Sequence, residues 1–382
     1  MSTTQRPLVA VYYFPNYHAD ASNARIHGEG WTEWDLVRRA EPRWEGHVQP
    51  RVPLWGEADE ADPAAMAVKI DAAADHGVDI FLFDWYHHDT GKFLHRGLEE
   101  GFLGAPNRDR LRFALMWANH DWIDIHPAKR GVPAHCHFPG RITPETWETL
   151  TDHVVADLFS RPNYWKPGGK PYFSIYELHT FLDSFGGPDG AVDAIERFRA
   201  KARAAGFPDI HLNAVVWAIP VLPGERGVPD PKAIVDRLGV ASVTSYVWIH
   251  HVPLAFPAMP YPECQAAYEA YRDEACERYA PVPYHPNVTM GWDASPRTVA
   301  SDRYEPVGYP FMGTLGENTP EAFRDALASA RDWCARRGGN EPVVTINAWN
   351  EWTEGSYLEP DTIHGMAYLE AVRDVFGARG AQ

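Results

Sequence analysis

Two glutamates near the end of the chain, Glu351 and Glu354, have the residue type and spacing for acid–base chemistry. Both lie among tryptophans, and Asn350 is a hydrogen-bond donor beside the first of them. Apolar surroundings raise the pKa of a carboxyl group, whereas hydrogen-bond donors keep a carboxylate ionised. A pair divided in this way supplies the general acid and the base that cleavage of a glycosidic bond requires. The alternative is that Glu354, and more so Glu359, are ordinary exposed acids of a loop.

Aromatic, histidine, asparagine and acidic residues also follow nearly every short apolar run of the chain. Flat rings beside hydrogen-bonding groups suit a ligand with apolar faces and a hydroxylated rim, as a sugar has. Any one of these residues, taken alone, is better explained as part of a packed core. The residues predicted to bind sugar are Tyr12, Tyr13, Trp31, Trp34, Asp84, Trp85, Tyr86, His87, Trp117, Asn119, Trp122, Tyr246, Trp349, Asn350 and Trp352. At least two of the first five tryptophans in that list are expected to stack on a sugar ring.

The elements that must position these residues are short β-rich segments. Several are apolar on consecutive residues, which is expected when helices cover both faces of a parallel strand. The predicted strands are Leu8–Phe14, Val78–Asp84, Arg112–Trp117, Tyr172–Tyr176, His211–Val216, Val240–Tyr246, Asn287–Met290 and Val343–Asn347.

Helical segments separate the predicted strands. Several begin with a capping residue followed by proline, as in Asp62-Pro63, Thr143-Pro144 and Thr319-Pro320. The predicted helices run over 63–76, from 144 to about Leu158, over 191–205, over 320–337 and from about 364 to 376. Strands that alternate with helices form βαβ units and a parallel sheet.

Eight strands with intervening helices predict a (β/α)8 TIM barrel that spans residues 1–382 as a single domain with long loops. A doubly wound open sheet is the second choice, and no GxGxxG motif follows the first strand to support it. Catalytic residues of such barrels lie at the C-terminal ends of the strands. The barrel would therefore bring the polar and aromatic residues together at one end.

Composition and charge narrow the function further. The chain has 35 Lys and Arg against 52 Asp and Glu, a net charge of −17, which disfavours nucleic acid and anionic membrane surfaces as partners. No apolar stretch approaches the ~20 residues of a membrane helix, and the N-terminus lacks the pattern of a signal peptide. The cysteines, Cys136, Cys264, Cys276 and Cys334, are scattered. Reduced thiols and a cytoplasmic location are therefore expected.

Five motifs make the sequence recognisable. They are Tyr12–Pro15, Gly30–Trp34, Gly46–Pro50, Trp117–Asn119 and the segment from Trp349 to Pro360. In this order, over nearly the whole chain, they resemble the glycoside hydrolase family 99-like proteins, which include the WbsX-type group of polysaccharide biosynthesis. The fuller match is to the WbsX-type group.

The resemblance implies a (β/α)8 barrel, and the better-known relatives are endo-acting α-mannosidases. It also implies that Glu351 and Glu354 are the catalytic pair. Many relatives carry Asn-Glu-Asn-Trp after the third strand, where this chain has Asn119-His120-Asp121-Trp122. A contact made by that Glu in the relatives would be lost or altered here.

The spacing of the two glutamates also bears on mechanism. Residues three apart on a helical turn have Cβ atoms ~5–6 Å apart and project the same way, so they reach opposite faces of a sugar carbon with difficulty. We expect Glu351 to act as a base on the sugar's 2-hydroxyl and Glu354 to be the general acid and then base. The resemblance points to the same division, with net retention of configuration.

Three other functions fit parts of the sequence. The relatives' biosynthetic label suggests a glycosyltransferase, although no Gly-rich phosphate loop is present. A carbohydrate-binding protein without catalysis would not require the glutamate pair. A metallohydrolase is suggested by His87-His88, His135-x-His137 and His250-His251, but chance histidine pairs are common in a chain with 18 His. The favoured prediction is a hydrolase of an α-linked oligosaccharide or polysaccharide that uses no metal or other cofactor.

Overall fold

Parallel strands form a ring in the structure, a computed structural model that describes residues 6–338 and 341–378. The strands are β1 Leu8–Tyr13, β2 Ile80–His88, β3 Arg112–Trp117, β4 Tyr172–Ile175, β5 His211–Val215, β6 Ser242–Thr244, β7 in two pieces, Tyr284–His285 and Asn287–Thr289, and β8 Val343–Asn347. Neighbours in this order pair in parallel, and β8 also pairs with β1, with Leu8 opposite Val343. The predicted (β/α)8 barrel is confirmed.

The seventh strand is divided at Pro286, which has no backbone N–H to donate. Tyr284 pairs with Val243 of β6, and Asn287 pairs with Thr345 of β8. The two pieces of β7 therefore complete the ring from opposite sides.

Helices and short elements fill the connections. The helices are α1 Ala21–His27, α2 Trp34–Arg39, α3 Pro63–Asp75, α4 Pro144–His153, α5 Leu178–Ser184, α6 Pro188–Ala204, α7 Pro231–Arg237, α8 Tyr261–Tyr279, α9 Pro320–Arg337 and α10 Ala367–Phe376. Two π-helical turns span Gly97–Phe102 and Val154–Phe159, and 3₁₀ turns span Arg108–Arg110, Pro167–Gly169, Trp248–His250, Ser295–Arg297 and Trp352–Glu354. Short strands are Gly91–Phe93, Trp122–Ile123, Cys136–Phe138, Ala258–Pro260, Thr314–Gly316, Asn350–Glu351 and Ser356–Tyr357.

The three helices predicted from a capping residue followed by proline, α3, α4 and α9, begin at those prolines. The side chain of Asp62 accepts the N–H of Ala64, and that of Thr319 accepts the N–H of Ala322. Such bonds satisfy N–H groups that have no partner within the helix. Helices α1, α2, α5, α7 and α8 are additional to those predicted.

Alternation along the strands separates the core from the barrel interior. On β2, Phe81 and Phe83 pack against Phe102 outside the ring, with ring centroids 6.1 and 5.4 Å away. Asp84, the residue after Phe83, points inward and accepts a hydrogen bond from Tyr246. Since successive side chains of a strand point to opposite faces, every second residue at a strand end lies inside the barrel.

Within the described residues, no helix has the length and apolar character needed to cross a membrane.

Candidate active site

The segment after β8 is a tight hairpin that carries both glutamates. Asn350–Glu351 pairs antiparallel with Ser356–Tyr357, and the 3₁₀ turn Trp352–Glu354 lies between them. Gly355 ends the turn with φ of 64°, and a Cβ there would lie 2.8 Å from the Cβ of Asp293. Glycine therefore allows this close turn, which brings Glu351 and Glu354 to the same side of the hairpin.

Both glutamates line a cavity of about 630 Å³, including its open mouth, at the C-terminal end of the barrel. Six of the predicted residues meet there: Asp84, Tyr86, Trp122, Tyr246, Glu351 and Glu354. Further polar and aromatic lining comes from Phe14, His120, Asp121, His126, Tyr176, His250, Trp292 and Arg297. Aromatic rings beside acids are what a sugar-binding cavity requires.

Arg297, in the loop after β7, holds the two glutamates side by side. One terminal nitrogen donates to Glu354 Oε1 at 2.6 Å and to the Tyr309 hydroxyl at 2.5 Å. The other donates to Glu351 Oε2 at 3.1 Å and to Glu33 at 3.2 Å. Nε donates to Thr353 at 2.9 Å. All five N–H groups of the guanidinium are thus engaged.

A third buried carboxylate, Glu33, lies on the far side of Arg297. It accepts hydrogen bonds from Thr353 at 2.7 Å and from Tyr17 at 3.5 Å, and it lies 3.0 Å from Nε2 of His126. Burial acts to raise the pKa of Glu33, but Arg297, His126 and Thr353 outweigh it and lower the pKa to about 2. Glu33 is therefore ionised at neutral pH.

The pKa values of the two glutamates in the cavity shift the other way. Burial and the nearby Glu354 raise the pKa of Glu351 well above its ordinary value. Burial also raises the pKa of Glu354, although Arg297 and the Tyr309 hydroxyl oppose the rise. Two carboxylates this close do not ionise independently, so the pair retains a proton to higher pH than isolated glutamates would.

Asp84 adds a further buried acid to the cavity. Its Oδ2 accepts the hydroxyl of Tyr246 at 2.8 Å, and its Oδ1 has no partner within the described part of the chain. Burial raises the pKa of Asp84 well above its ordinary value. A neutral carboxyl group here can donate a hydrogen bond to a sugar hydroxyl.

Several predicted residues do not line the cavity, because strand alternation turns them outward. Trp117 packs against Trp147 outside the ring, at 5.4 Å between ring centroids, and donates to the backbone carbonyl of His87. The outward positions are Tyr13, Trp85, His87 and Trp117. Tyr12 points inward but lies deeper in the barrel, with its ring 4.7 Å from that of Tyr246.

The remaining predicted residues support the loops around the cavity. Asn350 accepts the N–H of Phe14 and donates to its carbonyl, while Asn119 bonds the backbone of Glu177 in the same two-way manner. Trp34 packs on Trp352, and Trp31 stacks on His27 with one edge toward His126. These residues fix strand ends and loop positions.

The tryptophans that flank the glutamates point away from them. Trp349 and Trp352 donate to the two oxygens of Glu359 at 2.9 and 2.7 Å, and Lys69 pairs with that carboxylate at 2.8 Å. Neither tryptophan lines the cavity. Glu359 and Glu354 are both buried, so neither is an exposed loop acid. The raised pKa values come from burial within the barrel end as a whole.

The site residues that sequence reasoning missed are Glu33, Arg297 and Tyr309. Glu33 belongs to the Gly30–Trp34 motif that carried the family resemblance, which was a usable signal. Arg297 ends the 3₁₀ turn Ser295–Arg297 after β7, Tyr309 lies in the loop beyond it, and no sequence pattern marks either residue. Within the described residues, no group of three or more His, Cys, Asp or Glu side chains is arranged to hold a metal ion.

Residues 9–372 match the family described as glycosyltransferase WbsX. The chain belongs to this family. The uncharacterized protein WxcX of Xanthomonas campestris pv. campestris is 28% identical over 390 residues, which cover 97% of this chain and 50% of WxcX. The chain therefore spans about half the length of this curated relative.

Two solved structures share the WbsX-family chain's barrel. A GH99 endo-alpha-mannosidase from Bacteroides thetaiotaomicron superposes with a TM-score of 0.53 at 14% identity, over 95% of each chain. A glycoside hydrolase-like protein superposes with a TM-score of 0.60 at 15% identity, over 98% of this chain and 95% of the other. At these identities the likeness shows the fold. The resemblance to WbsX-type proteins is confirmed, and the likeness to the family 99 structure is one of fold.

Of the five tryptophans expected to stack on a sugar, Trp122 lines this cavity and the other four do not, and Trp117, which packs outside the ring, gives a matched control. We expect Trp122→Phe to raise KM about 2- to 10-fold, the range for one lost hydrogen bond, because its Nε1 has no partner among the described residues. Trp117→Phe should instead lower stability by about 1–3 kcal/mol with KM unchanged. Steady-state kinetics and thermal melts measure both. A Trp122 variant that only loses stability would show that this ring is core.

Proposed function

We propose that the chain is a retaining glycoside hydrolase that cleaves an α-linked oligosaccharide or polysaccharide, with mannose as the first sugar to test. The observation that carries the proposal is the pair Glu351 and Glu354, held side by side by Arg297 in an aromatic cavity. The raised pKa values of both suit a pair that holds one proton, with one member as acid and the other as base.

The proposed reaction has two steps. In the first, Glu351 removes the proton of the 2-hydroxyl, O2 bonds to C1, the bond from C1 to the leaving oxygen breaks, and Glu354 protonates that oxygen. In the second, Glu354 takes a proton from water, the water oxygen bonds to C1, the C1–O2 bond breaks and O2 recovers its proton from Glu351. Two inversions at C1 give net retention.

The resting proton must move before this reaction. Glu354 accepts short hydrogen bonds from both Arg297 and Tyr309, whereas Glu351 accepts one longer bond from Arg297. The unliganded protein therefore favours the ionised form at Glu354 and the proton on Glu351. A bound 2-hydroxyl that donates to Glu351 would stabilise its ionised form and shift the proton to Glu354.

A nucleotide-sugar transferase, the activity in the family's description, is less well supported. Arg297 is the single Lys or Arg among the described residues that line the cavity, and its N–H groups are all engaged. Burial lowers the pKa of His120, of His126 and, to about 3, of His250, so these rings are neutral at neutral pH. No cationic side chain of the described lining is therefore free to pair with a diphosphate.

The direct test is turnover of a nitrophenyl α-glycoside panel, then of a glycan library read by mass spectrometry, without any nucleotide sugar. Glu354→Gln is expected to lower kcat on a natural glycan at least about 10²-fold, the low end for a general acid. Substrates with good leaving groups should be affected less, since they need little protonation.

The control for Glu354→Gln is Glu317→Gln, an acid in the loop before α9 that does not line this cavity. It should leave both kcat and the melting temperature unchanged, and Glu354→Gln should keep the fold. Near-parent turnover by Glu354→Gln would remove Glu354 from the mechanism. Sugar transfer that requires a nucleotide donor would replace the hydrolase proposal altogether.

The proposal also includes one catalytic domain and a cytoplasmic location. Pairing of β1 with β8 joins distant parts of the chain into one ring, which supports a single domain. The four cysteines are free thiols, as is usual for proteins of a reducing compartment.

A further inference from the structure

Glu33 precedes helix α2, but its side chain does not cap that helix. It occupies the residue before α2, where an acidic side chain ordinarily accepts a hydrogen bond from the first turn. Here the side chain makes no such bond. It is fully buried and turned toward Arg297, Thr353 and His126 instead. Its hydrogen bonds therefore serve the glutamate hairpin and leave the helix uncapped.

Glu33 is close to the glutamate pair but separated from the cavity. It does not line the cavity, whereas Arg297, Glu351 and Glu354 all do. The same guanidinium nitrogen that donates to Glu351 also donates to Glu33. Any effect of Glu33 on a bound sugar must therefore pass through the lining residues that it contacts, Arg297 and His126, or through its own negative charge.

The charges around Glu351 and Glu354 bear on how these two residues are protonated. Arg297 is positive and Glu33 is negative, so the two together are close to neutral. A lone guanidinium within hydrogen-bond distance of both cavity glutamates would favour the ionised form of each. The negative charge of Glu33 offsets this stabilisation of the ionised forms. Repulsion between the carboxylates of Glu351 and Glu354 then disfavours the state in which both are ionised, so the pair keeps one proton.

Other groups around the pair do not supply this offset. Asp84 is buried with a raised pKa and contributes little negative charge when neutral. The other titratable or charged groups near the three glutamates are Tyr17, Tyr86, His120, His126, Tyr176, Glu225, Tyr246, Arg297 and Tyr309. Glu225 accepts the Tyr176 hydroxyl at 2.7 Å, whereas the hydrogen bonds of Arg297 go to other residues. Burial raises the pKa of each of these tyrosines well above its ordinary value, so they remain neutral. Glu33 is thus the fixed negative charge beside Arg297.

We propose that Glu33 is a positioning residue that offsets the charge of Arg297 and thereby keeps one proton on the Glu351–Glu354 pair. The inference rests on the proposed hydrolase function, because that reaction needs an acid and a base at the same time. It assigns a role to the Gly30–Trp34 motif, whose glutamate does not line the cavity.

The test is Glu33→Gln, which keeps the shape and removes the charge. With Arg297 no longer offset, both cavity glutamates should ionise at lower pH. The alkaline limb of the plot of kcat/KM against pH should shift to lower pH by about 1–3 units, the range by which a neighbouring arginine lowers the pKa of a carboxyl group. Activity should be recovered in part at acidic pH and with good leaving groups.

Two further variants separate charge from shape. Glu33→Asp keeps the charge, so its pH profile should lie within a few tenths of a unit of the parent even if kcat falls. Glu29→Gln removes an exposed acid of the same loop and should shift nothing. An unshifted alkaline limb in folded Glu33→Gln, or equal shifts in the Asp and Gln variants, would overturn the proposal.

A measurement without turnover distinguishes this inference from the proposed function. Titration of ¹³C-labelled glutamate side chains by NMR, assigned with Glu351→Gln and Glu354→Gln, reports the protons of the pair directly. If Glu33→Gln lowers the pH at which Glu351 and Glu354 titrate but no glycoside is ever cleaved, the charge role of Glu33 stands and the hydrolase function fails. If glycosides are cleaved and Glu33→Gln leaves that titration unchanged, the charge role of Glu33 fails and the hydrolase function stands.

Discussion

Replacing Arg297 by Met is expected to lower the free energy of unfolding by about 3–5 kcal/mol at neutral pH, the cost of removing one partner from a buried ionic cluster. Arg297 is the cation that contacts Glu33, Glu351 and Glu354, and all four side chains are buried. Methionine fills the space but leaves three carboxylates facing one another. Urea unfolding, with the midpoint and the slope fitted together, measures the loss.

The loss should depend on pH with a defined sign. The pKa values of Glu351 and Glu354 are raised in the folded protein, so the folded state binds their protons more tightly than the unfolded chain does. Such groups contribute stability that is fully present below the unfolded pKa and is lost as pH rises through the folded pKa. Without Arg297 these pKa values rise further, and the pKa of Glu33 rises as well. The deficit of Arg297→Met should therefore shrink as pH is lowered from 7 toward 5.

Arg38→Met is the matched control for this experiment. Arg38 pairs with Asp35 and Glu57 through a side chain that is 52% exposed. Exposed pairs contribute about 0–1 kcal/mol at most, so this variant should unfold near the parent midpoint with no distinct pH dependence. If Arg297→Met and Arg38→Met were equally stable at neutral pH, the carboxyl groups around Arg297 would be largely protonated in the variant and would not need the arginine to balance their charge.

The barrel could be predicted from the sequence because its strands are apolar on both faces. Leu8–Phe14 and Val343–Asn347 were predicted within one residue of β1 and β8. Prolines after capping residues marked helices α3, α4 and α9 equally well. These signals are local, and they follow from what a parallel strand or a helix start requires.

Helix α8 could not be found in this way, although it is 19 residues long. Its buried positions follow a helical spacing of three and four, but tyrosine, arginine, alanine and cysteine occupy them: Tyr261, Cys264, Tyr268, Arg272, Ala275 and Tyr279. The amphipathic pattern is weak when polar tips and small residues replace aliphatic ones. Tertiary packing, which the sequence does not display, decides the helix.

The candidate site was predicted in part, and strand alternation explains the difference. Asp84 and Tyr86 were grouped with Trp85 and His87, yet only the first two lie inside the barrel. Because side chains alternate between the two faces of a strand, Asp84 and Tyr86 point inward, and Trp85 and His87 point outward. The contacts among Glu33, Arg297 and Tyr309 join residues 12 to 264 positions apart. No local pattern encodes such contacts.

Removal of the 2-hydroxyl from the substrate is expected to abolish turnover while binding is retained. In the proposed mechanism O2 is the nucleophile, and loss of a catalytic nucleophile costs on the order of 10⁶-fold in kcat in a serine protease. An ordinary retaining glycosidase places its two carboxyl groups ~5–5.5 Å apart across the scissile bond, where one attacks C1. Here Glu351 and Glu354 bind adjacent nitrogens of one guanidinium, so they lie on one side of the cavity and suit attack by O2.

The comparison to make is a 2-deoxy substrate against its 3-deoxy isomer, with the rate without enzyme subtracted from each. The isomer loses one hydroxyl as well, so it controls for binding, and it should keep most of its turnover. NMR of the first-formed product should show the anomeric configuration of the substrate, because two displacements at C1 restore it. A 2-fluoro substrate lacks the nucleophile too and should leave no ester on Glu351. A glycosyl ester on that residue, or an inverted product, would establish direct displacement by a carboxylate or by water, and O2 would then have no role in bond breaking.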